Sequence, residues 1–272
     1  MTSATIDTGT TATLRVRPLR DSRLTTLLAP AVLGVLVIGA WQLAVEVFDI
    51  DPFIVPSPRA IFDQLVESRA SVWEGMRGTG RNALYGLLIG AVVGIVAALL
   101  SNALPVVDQM AAPVVAALSV VPIVALAPAL YTMFGAAVNT ARVIVAAITV
   151  IIPVYFNTLR GLRQVRPVHR ELMHVYAASP VRIARTVTLP TAVPYVFTGL
   201  RIASSLAVIA ALIAEYFGGP VDGLGKAITS SAASSNYPLA WAYVIGAILL
   251  GLAFYLVTLL VELRVARHQP GS

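Results

Sequence analysis

Three residues in one short stretch, His169, Glu171 and His174, are of the types that bind a metal ion. Their spacing argues against it. A zinc-binding H-E-x-x-H helix places two histidines four residues apart on one face, with glutamate next to the first. Here the histidines are five apart, about 140° round a helix, and a solvated basic helix accounts for them. Cysteine is absent, which excludes disulfides, iron–sulfur clusters and thiolate metal sites. The chain has no G-x-x-x-x-G-K-[ST] phosphate loop and no G-x-S-x-G nucleophile turn. Ser204-Ser205 and Ser230-Ser231 have no histidine in their neighbourhood. Nothing here makes or breaks bonds, so no catalytic role and no cofactor on this chain are expected. The residues that remain of interest are ionisable groups in or near apolar runs: Arg142, Arg201 and Glu215. Charges inside a membrane are costly, and each is a functional candidate. Arg142 and Arg201 have the alternative of snorkelling to a headgroup. Glu215 has three readings: a gate, a solute-facing group, or a residue of the membrane interface.

The elements that would carry these residues follow from composition. Of 272 residues, 58% are hydrophobic and 12% charged, where a soluble domain carries roughly 25% charged residues. That excludes an ordinary soluble enzyme, a disordered protein and a nucleic-acid-binding domain. The net charge of +6 sits in a few loops between apolar runs. A membrane helix needs roughly 20 apolar residues, and the chain supplies that several times. The fold class is all-α, a polytopic membrane protein with six expected transmembrane helices.

Residues 1–23 read as a disordered, then basic, tail, followed by a first span over 24–46. Residues 47–80 read as an external loop whose stretch 59–73 places Ile61, Phe62, Leu65 and Val66 at helical spacing, a helix lying on the membrane surface. The remaining five spans occupy a core over 81–262, and 263–272 is a polar tail. A second span over 82–100 carries Gly86, Gly90 and Gly94 on one face, a surface for close helix packing or for a homodimer seam. The third, within 109–134, contains Pro113, Pro122 and Pro128 and should be kinked or broken. Such breaks survive where freed carbonyls face protein or a water-filled cavity, so Pro122 and Pro128 are pathway candidates, or mark a kink that merely fits its neighbours. Spans over 137–158, 193–214 and 239–260 follow, with a basic segment 160–190 and a glycine-rich loop between them. An even number of spans puts both termini on one side. With the N-terminus inside, the inner segments hold twelve arginines, against four arginines and a lysine outside, so the positive-inside rule favours cytoplasmic termini.

The inner segment reads Glu171-Leu172-Met173, three residues, Ala177-Ala178-Ser179, seven residues, then Val187-Thr188-Leu189-Pro190. This resembles the EAA loop of bacterial ABC importer permeases, E-A-A, three residues, G, then I/V-x-L-P. Glu171, Leu189 and Pro190 match. Leu172, Met173 and Ala177 depart, and Ala177 stands where the family's glycine makes the sharp turn between two short helices. Pro194 and Gly199-Leu200-Arg201 resemble the continuation P-x-x-x-x-G-L-R, and Glu215 with Gly223-Leu224-Gly225 resembles the later E…G-L-G segment. Val55-Pro56-Ser57-Pro58, together with Pro122, Pro128 and Gly135, resembles the nitrate/sulfonate/taurine-type subgroup. These motifs run over nearly the whole chain.

The resemblance implies a type I importer permease in the bacterial plasma membrane, a homodimer of two six-helix halves. Two cytoplasmic ATPase subunits would carry ATP and magnesium, and an external solute-binding protein would deliver a small organic or anionic solute. Residues 171–190 would rest on the ATPase. Arg182 and Arg185 would pair with its acidic residues, or serve only to set topology. A self-sufficient secondary transporter would need midplane carboxylates or broken helices for ion coupling, often with internal repeats; no carboxylate sits mid-span and no repeat between the halves is evident.

Overall fold

Prolines and glycines punctuate this chain more strongly than its charges do. The computed structural model describes residues 23–122 and 125–266, and the expectations for the N-terminal tail and the last residues lie outside them. Eleven α-helices are described: α1 (Arg23–Val47), α2 (Pro58–Glu67), α3 (Arg69–Ala103), α4 (Pro105–Val120), α5 (Leu126–Phe134), α6 (Thr140–Arg163), α7 (Pro167–Val175), α8 (Pro180–Ile183), α9 (Leu189–Phe217), α10 (Leu224–Ala233) and α11 (Tyr237–Ala266). A π-helical turn, Ala184–Thr188, joins α8 to α9 without a break.

Five helices among the described residues are long and apolar enough to cross a membrane. The sixth expected span is interrupted. The stretch 109–134 is divided between α4, which ends at Val120, and α5, which starts at Leu126, and neither is of membrane length alone. Pro122 lies between them, where the chain is not helical. A proline inside a helix removes a hydrogen bond and clashes with the carbonyl four residues back. Pro128 is tolerated because it falls in the first turn of α5. The two helices in tandem still run from end to end of the bundle. Asp108 of α4 pairs with Arg163 at the C-terminal end of α6, at 2.8 Å. Tyr131 of α5 meets Arg142 at the N-terminal end of α6.

Other boundaries move outward. The surface helix expected over 59–73 ends at Glu67, and Trp73 belongs to α3, which runs unbroken through residues 80 and 81. Its 35 residues span about 50 Å at ~1.5 Å per residue, more than a bilayer's thickness. Arg69, Glu74, Arg77 and Arg81 limit how far a helix is immersed, but do not end it. Ser57 caps α2, its side chain accepting from the Ala60 N–H, and Pro58 occupies the first turn.

The core is a three-helix slab. α6 lies in the middle, packed along its length against α3 and α9, with α11 against α9. Ala141, Val145, Ala146, Val150 and Val154 of α6 are fully buried, as are Ala203, Ala207, Ala211 and Ala214 of α9. Small side chains bring the axes close. A Cβ on Gly86 would collide with Cβ of Ala146, one on Gly90 would lie 2.5 Å from the Ala147 carbonyl, and one on Gly94 3.1 Å from that of Ile151. All three glycines therefore face α6 of their own chain, which leaves no homodimer seam along them. Gly161 and Gly199 do the same for α6 and α9. Gly90→Leu is expected to destabilise the folded protein by about 1–3 kcal/mol or more through overpacking, measured as a lower midpoint of unfolding in detergent. α1 stands apart, and its 28–40 stretch is exposed on all sides. Trp41 touches Trp241 of α11 edge to face, at 5.8 Å.

Candidate functional site

At one end of the bundle, the N-terminus of α6 meets the C-terminus of α9 and the first half of α3. Arg142 sits here, fully buried. Every N–H of its guanidinium has an acceptor. Nε donates to Tyr131 Oη at 3.2 Å. Nη1 donates to Asn139 Oδ1 at 2.9 Å and Asp222 Oδ1 at 2.8 Å. Nη2 donates to the carbonyls of Gly218 at 3.2 Å and Pro220 at 2.5 Å. Such a complete set is what a charge out of water requires. The snorkelling reading of Arg142 is thereby overturned: the side chain turns inward because loop 218–222 offers fixed acceptors there.

Glu215 is also fully buried, and its partners explain a helix that the sequence hides. The first N–H groups of any helix have no partner within it. In α10 these belong to Leu224 and Gly225, and the N-cap residue is Gly223, which has no side chain. Thr79 of α3 and Glu215 of α9 take its place. The Leu224 N–H donates to Thr79 Oγ1 at 2.9 Å, and the Gly225 N–H to Glu215 Oε2 at 2.8 Å. The Thr79 hydroxyl in turn donates to the Glu215 carboxylate, 2.9–3.0 Å away. Negative charge at a helix N-terminus is stabilised by the aligned peptide dipoles. Arg142 Nη1 lies 3.9 Å from Glu215 Oε1, so one cation serves both the buried Glu215 and the part-exposed Asp222. The glycines are sterically required. A Cβ on Gly223 would strike the Glu215 carboxylate, and one on Gly225 the carbonyl of Leu212. Gly219 has φ +98° and lies against the Arg142 guanidinium.

Glu215 thus ties the start of α10 to α9. Thr79 beside Glu215, and Tyr131, Asn139 and Asp222 beside Arg142, are companions the sequence reading missed. Arg201 lies toward the other end, where Nε stands 3.1 Å from Glu262 Oε2 of α11. Thr198 donates to the same carboxylate at 3.0 Å, so Arg201 ties α9 to α11. Pro122 and Pro128 line neither the cavity beside Arg81 nor the one between α9 and α11.

The opposite end carries residues 164–188. Here α7 leads into a turn at Tyr176–Ala178 and then into α8, the π-turn and α9. No side chain of α7 or α8 is buried. Glu171, Leu172, Ala177, Ser179, Arg182 and Arg185 are exposed, Met173 and Ala178 half-buried, and Leu189 and Pro190 exposed at the start of α9. Ser179 Oγ accepts from the Arg182 N–H at 3.4 Å, and Pro180 opens α8. The turn is made despite the missing glycine. Ala177 takes φ +49°, a left-handed conformation that costs a residue with a Cβ about 1–2 kcal/mol. Ala177→Gly is therefore expected to stabilise the turn by about 1 kcal/mol, read as slower amide exchange over 173–180 with transport retained.

The arrangement is a buried helix slab with a polar lock at one end and an exposed, rigidly connected helical hairpin at the other. Residues 90–267 match the family model described as binding-protein-dependent transport system inner membrane component. The chain is 28% identical over 229 residues to a probable ABC transporter permease protein of Haemophilus influenzae, covering 84% of this chain and 93% of that one. It is 28% identical over 259 residues to the riboflavin transport system permease protein RibX of Chloroflexus aurantiacus, covering 94% and 96%. In fold it resembles the crystal structure of an amino acid ABC transporter with histidines, with TM-score 0.62 and 18% identity over 73% of this chain and 96% of that one. Sequence pattern, helix order and family match agree, and the chain belongs to the binding-protein-dependent transport system inner membrane components, the permease subunits of ABC transporters.

Proposed function

We propose that this permease passes a small organic or anionic solute, of the sulfonate, taurine, nitrate, pyrimidine-precursor or flavin kind, from an external binding protein across the bacterial plasma membrane. Its family is a transport permease component and not a catalytic subunit, so ATP and magnesium belong to a separate ATPase. The flavin class is added because a relative matched over nearly its full length is named for riboflavin transport. The termini lie in the cytoplasm, and two copies of the chain form the conduit.

The observation that carries the reading is the hairpin 167–188. It exposes an apolar and basic face, with Leu172, Val175, Tyr176 and Val181 all more than half exposed, and it continues into α9 through unbroken helix. A groove on the ATPase would receive it. Closure of the ATPase dimer on ATP would draw the hairpins together and move α9 as a rigid body, opening the pathway outward. Hydrolysis would reset it. Arg182 and Arg185 would meet acidic residues of the ATPase.

The test is uptake of labelled riboflavin, taurine, nitrate and a pyrimidine precursor in cells that express this chain with its binding protein and ATPase. Uptake of one of them should survive collapse of the proton gradient with ATP preserved, and stop when ATP is depleted. The reverse dependence would point to an ion-coupled carrier.

A further inference from the structure

A cavity of about 920 Å³ opens between α3, α11 and the loop before α10, beside the polar lock. One stripe of α3 forms its long wall. Trp73, Arg77, Arg81 and Tyr85 recur every four residues, all exposed and all lining it. Across from them lie Tyr243, Leu250 and Phe254 of α11. Glycines make the room: a Cβ on Gly80 would lie 3.3 Å from the Leu250 side chain.

The polar end of this cavity holds two guanidinium groups, of Arg77 and Arg81, and two carboxylates, of Glu74 and Asp222. Asp222 is shared, its Oδ1 with buried Arg142 and its Oδ2 with Arg81 Nη2 at 2.9 Å. That single contact is the pairing of Arg81 among the described residues, and Arg77 has no hydrogen-bond or ion-pair partner among them. Guanidinium forks one helical turn apart match the oxygens of a sulfonate, carboxylate or phosphate. Glu74 stands on the same wall and opposes an incoming anion. The other end, with its aromatic and aliphatic side chains, suits an apolar body.

We propose that this cavity binds an amphiphilic oxyanion, its head on Arg77 and Arg81 and its apolar part against Leu250 and Phe254. A free organic anion and an anionic lipid share this chemistry. The residues proposed to hold the anion lie on α3 and α11, with Asp222 of the loop before α10 beside them.

The experiment uses the full chain in dodecyl maltoside, with Trp41→Phe and Trp241→Phe so that Trp73 is the reporting fluorophore. One arm titrates 4-nitrobenzenesulfonate, with 4-nitrobenzamide as the neutral control. The other titrates dihexanoylphosphatidylglycerol. At least one anion should change Trp73 fluorescence saturably, and the neutral control should not. R77Q/R81Q should weaken binding at least tenfold, and E74Q should tighten it. R77Q alone, which breaks no contact of the fold, should weaken it in the same direction. The responding arm identifies a solute or a lipid as the source. Saturation by neither anion, equal binding of the neutral control, or affinities unmoved by these substitutions would overturn the proposal.

Discussion

Arg142→Met is expected to destabilise the folded permease by about 3–5 kcal/mol, the cost of removing one partner from a buried ion set. The reason is the accounting at the lock. Methionine leaves buried Glu215 without its cation and Asp222 with Arg81 alone, and the Gly218 and Pro220 carbonyls and Tyr131 Oη lose their Arg142 donor. Arg142→Lys should recover only part of the loss, since three rotatable donors cannot reproduce five in a plane. Glu215→Gln added to Arg142→Met should regain stability relative to Arg142→Met alone, because the buried negative charge is then gone. The check is the unfolding midpoint in a denaturing-detergent titration of each variant. An Arg142→Met protein within about 0.5 kcal/mol of the parent, the range of ordinary surface changes, would show that the lock is not structural.

Replacing residues 171–179 with a flexible Gly/Ser stretch is expected to abolish transport and ATPase association while leaving the membrane core folded. The asymmetry follows from burial. Among residues 167–183 no side chain is buried, so little packing energy is lost. What is lost is rigidity. In the native chain, force applied at α8 is carried into α9 through continuous helix, and α7 joins α8 by a short turn. The checks are uptake, recovery of the ATPase with the purified chain, and the thermal midpoint. Uptake at the parent level with the flexible stretch in place would sink the coupling role.

How much of this was legible in the sequence differs by physical cause. Apolar length and glycine and proline placement are local signals. They revealed the all-α membrane class, the packing face at Gly86, Gly90 and Gly94, and the break in the span containing Pro122. The hairpin's endpoints, Glu171 and Pro190, were readable as a pattern, although Ala177 made the turn look harder than it is. Three things were not readable. Helices extend past their apolar runs, as α3 does through Arg77 and Arg81, because charge limits immersion and not helicity. α10 was hidden because its N-terminal partners, Thr79 and Glu215, lie on other helices, more than 130 residues apart in sequence. The fate of Arg142 was hidden for a related reason: four of its five acceptors, Tyr131 of α5 and Gly218, Pro220 and Asp222 of loop 218–222, are distant in the chain or lie outside its own turn, and only folding collects them. One signal was available. An arginine near one span end, an aspartate and glutamate near another, and clustered glycines between them form a charge-balanced set, which a membrane favours pairing.

The central claim is that this chain works as the membrane subunit of an ATP-driven assembly, driven through its 167–188 hairpin. The most direct measurement is to tag the chain, purify it gently from native membranes and identify what travels with it by mass spectrometry, with a crosslinker placed in the hairpin. The account predicts an ABC ATPase at about one copy per permease, crosslinked through that segment. A chain that purifies alone, with nothing captured at the hairpin, would contradict it.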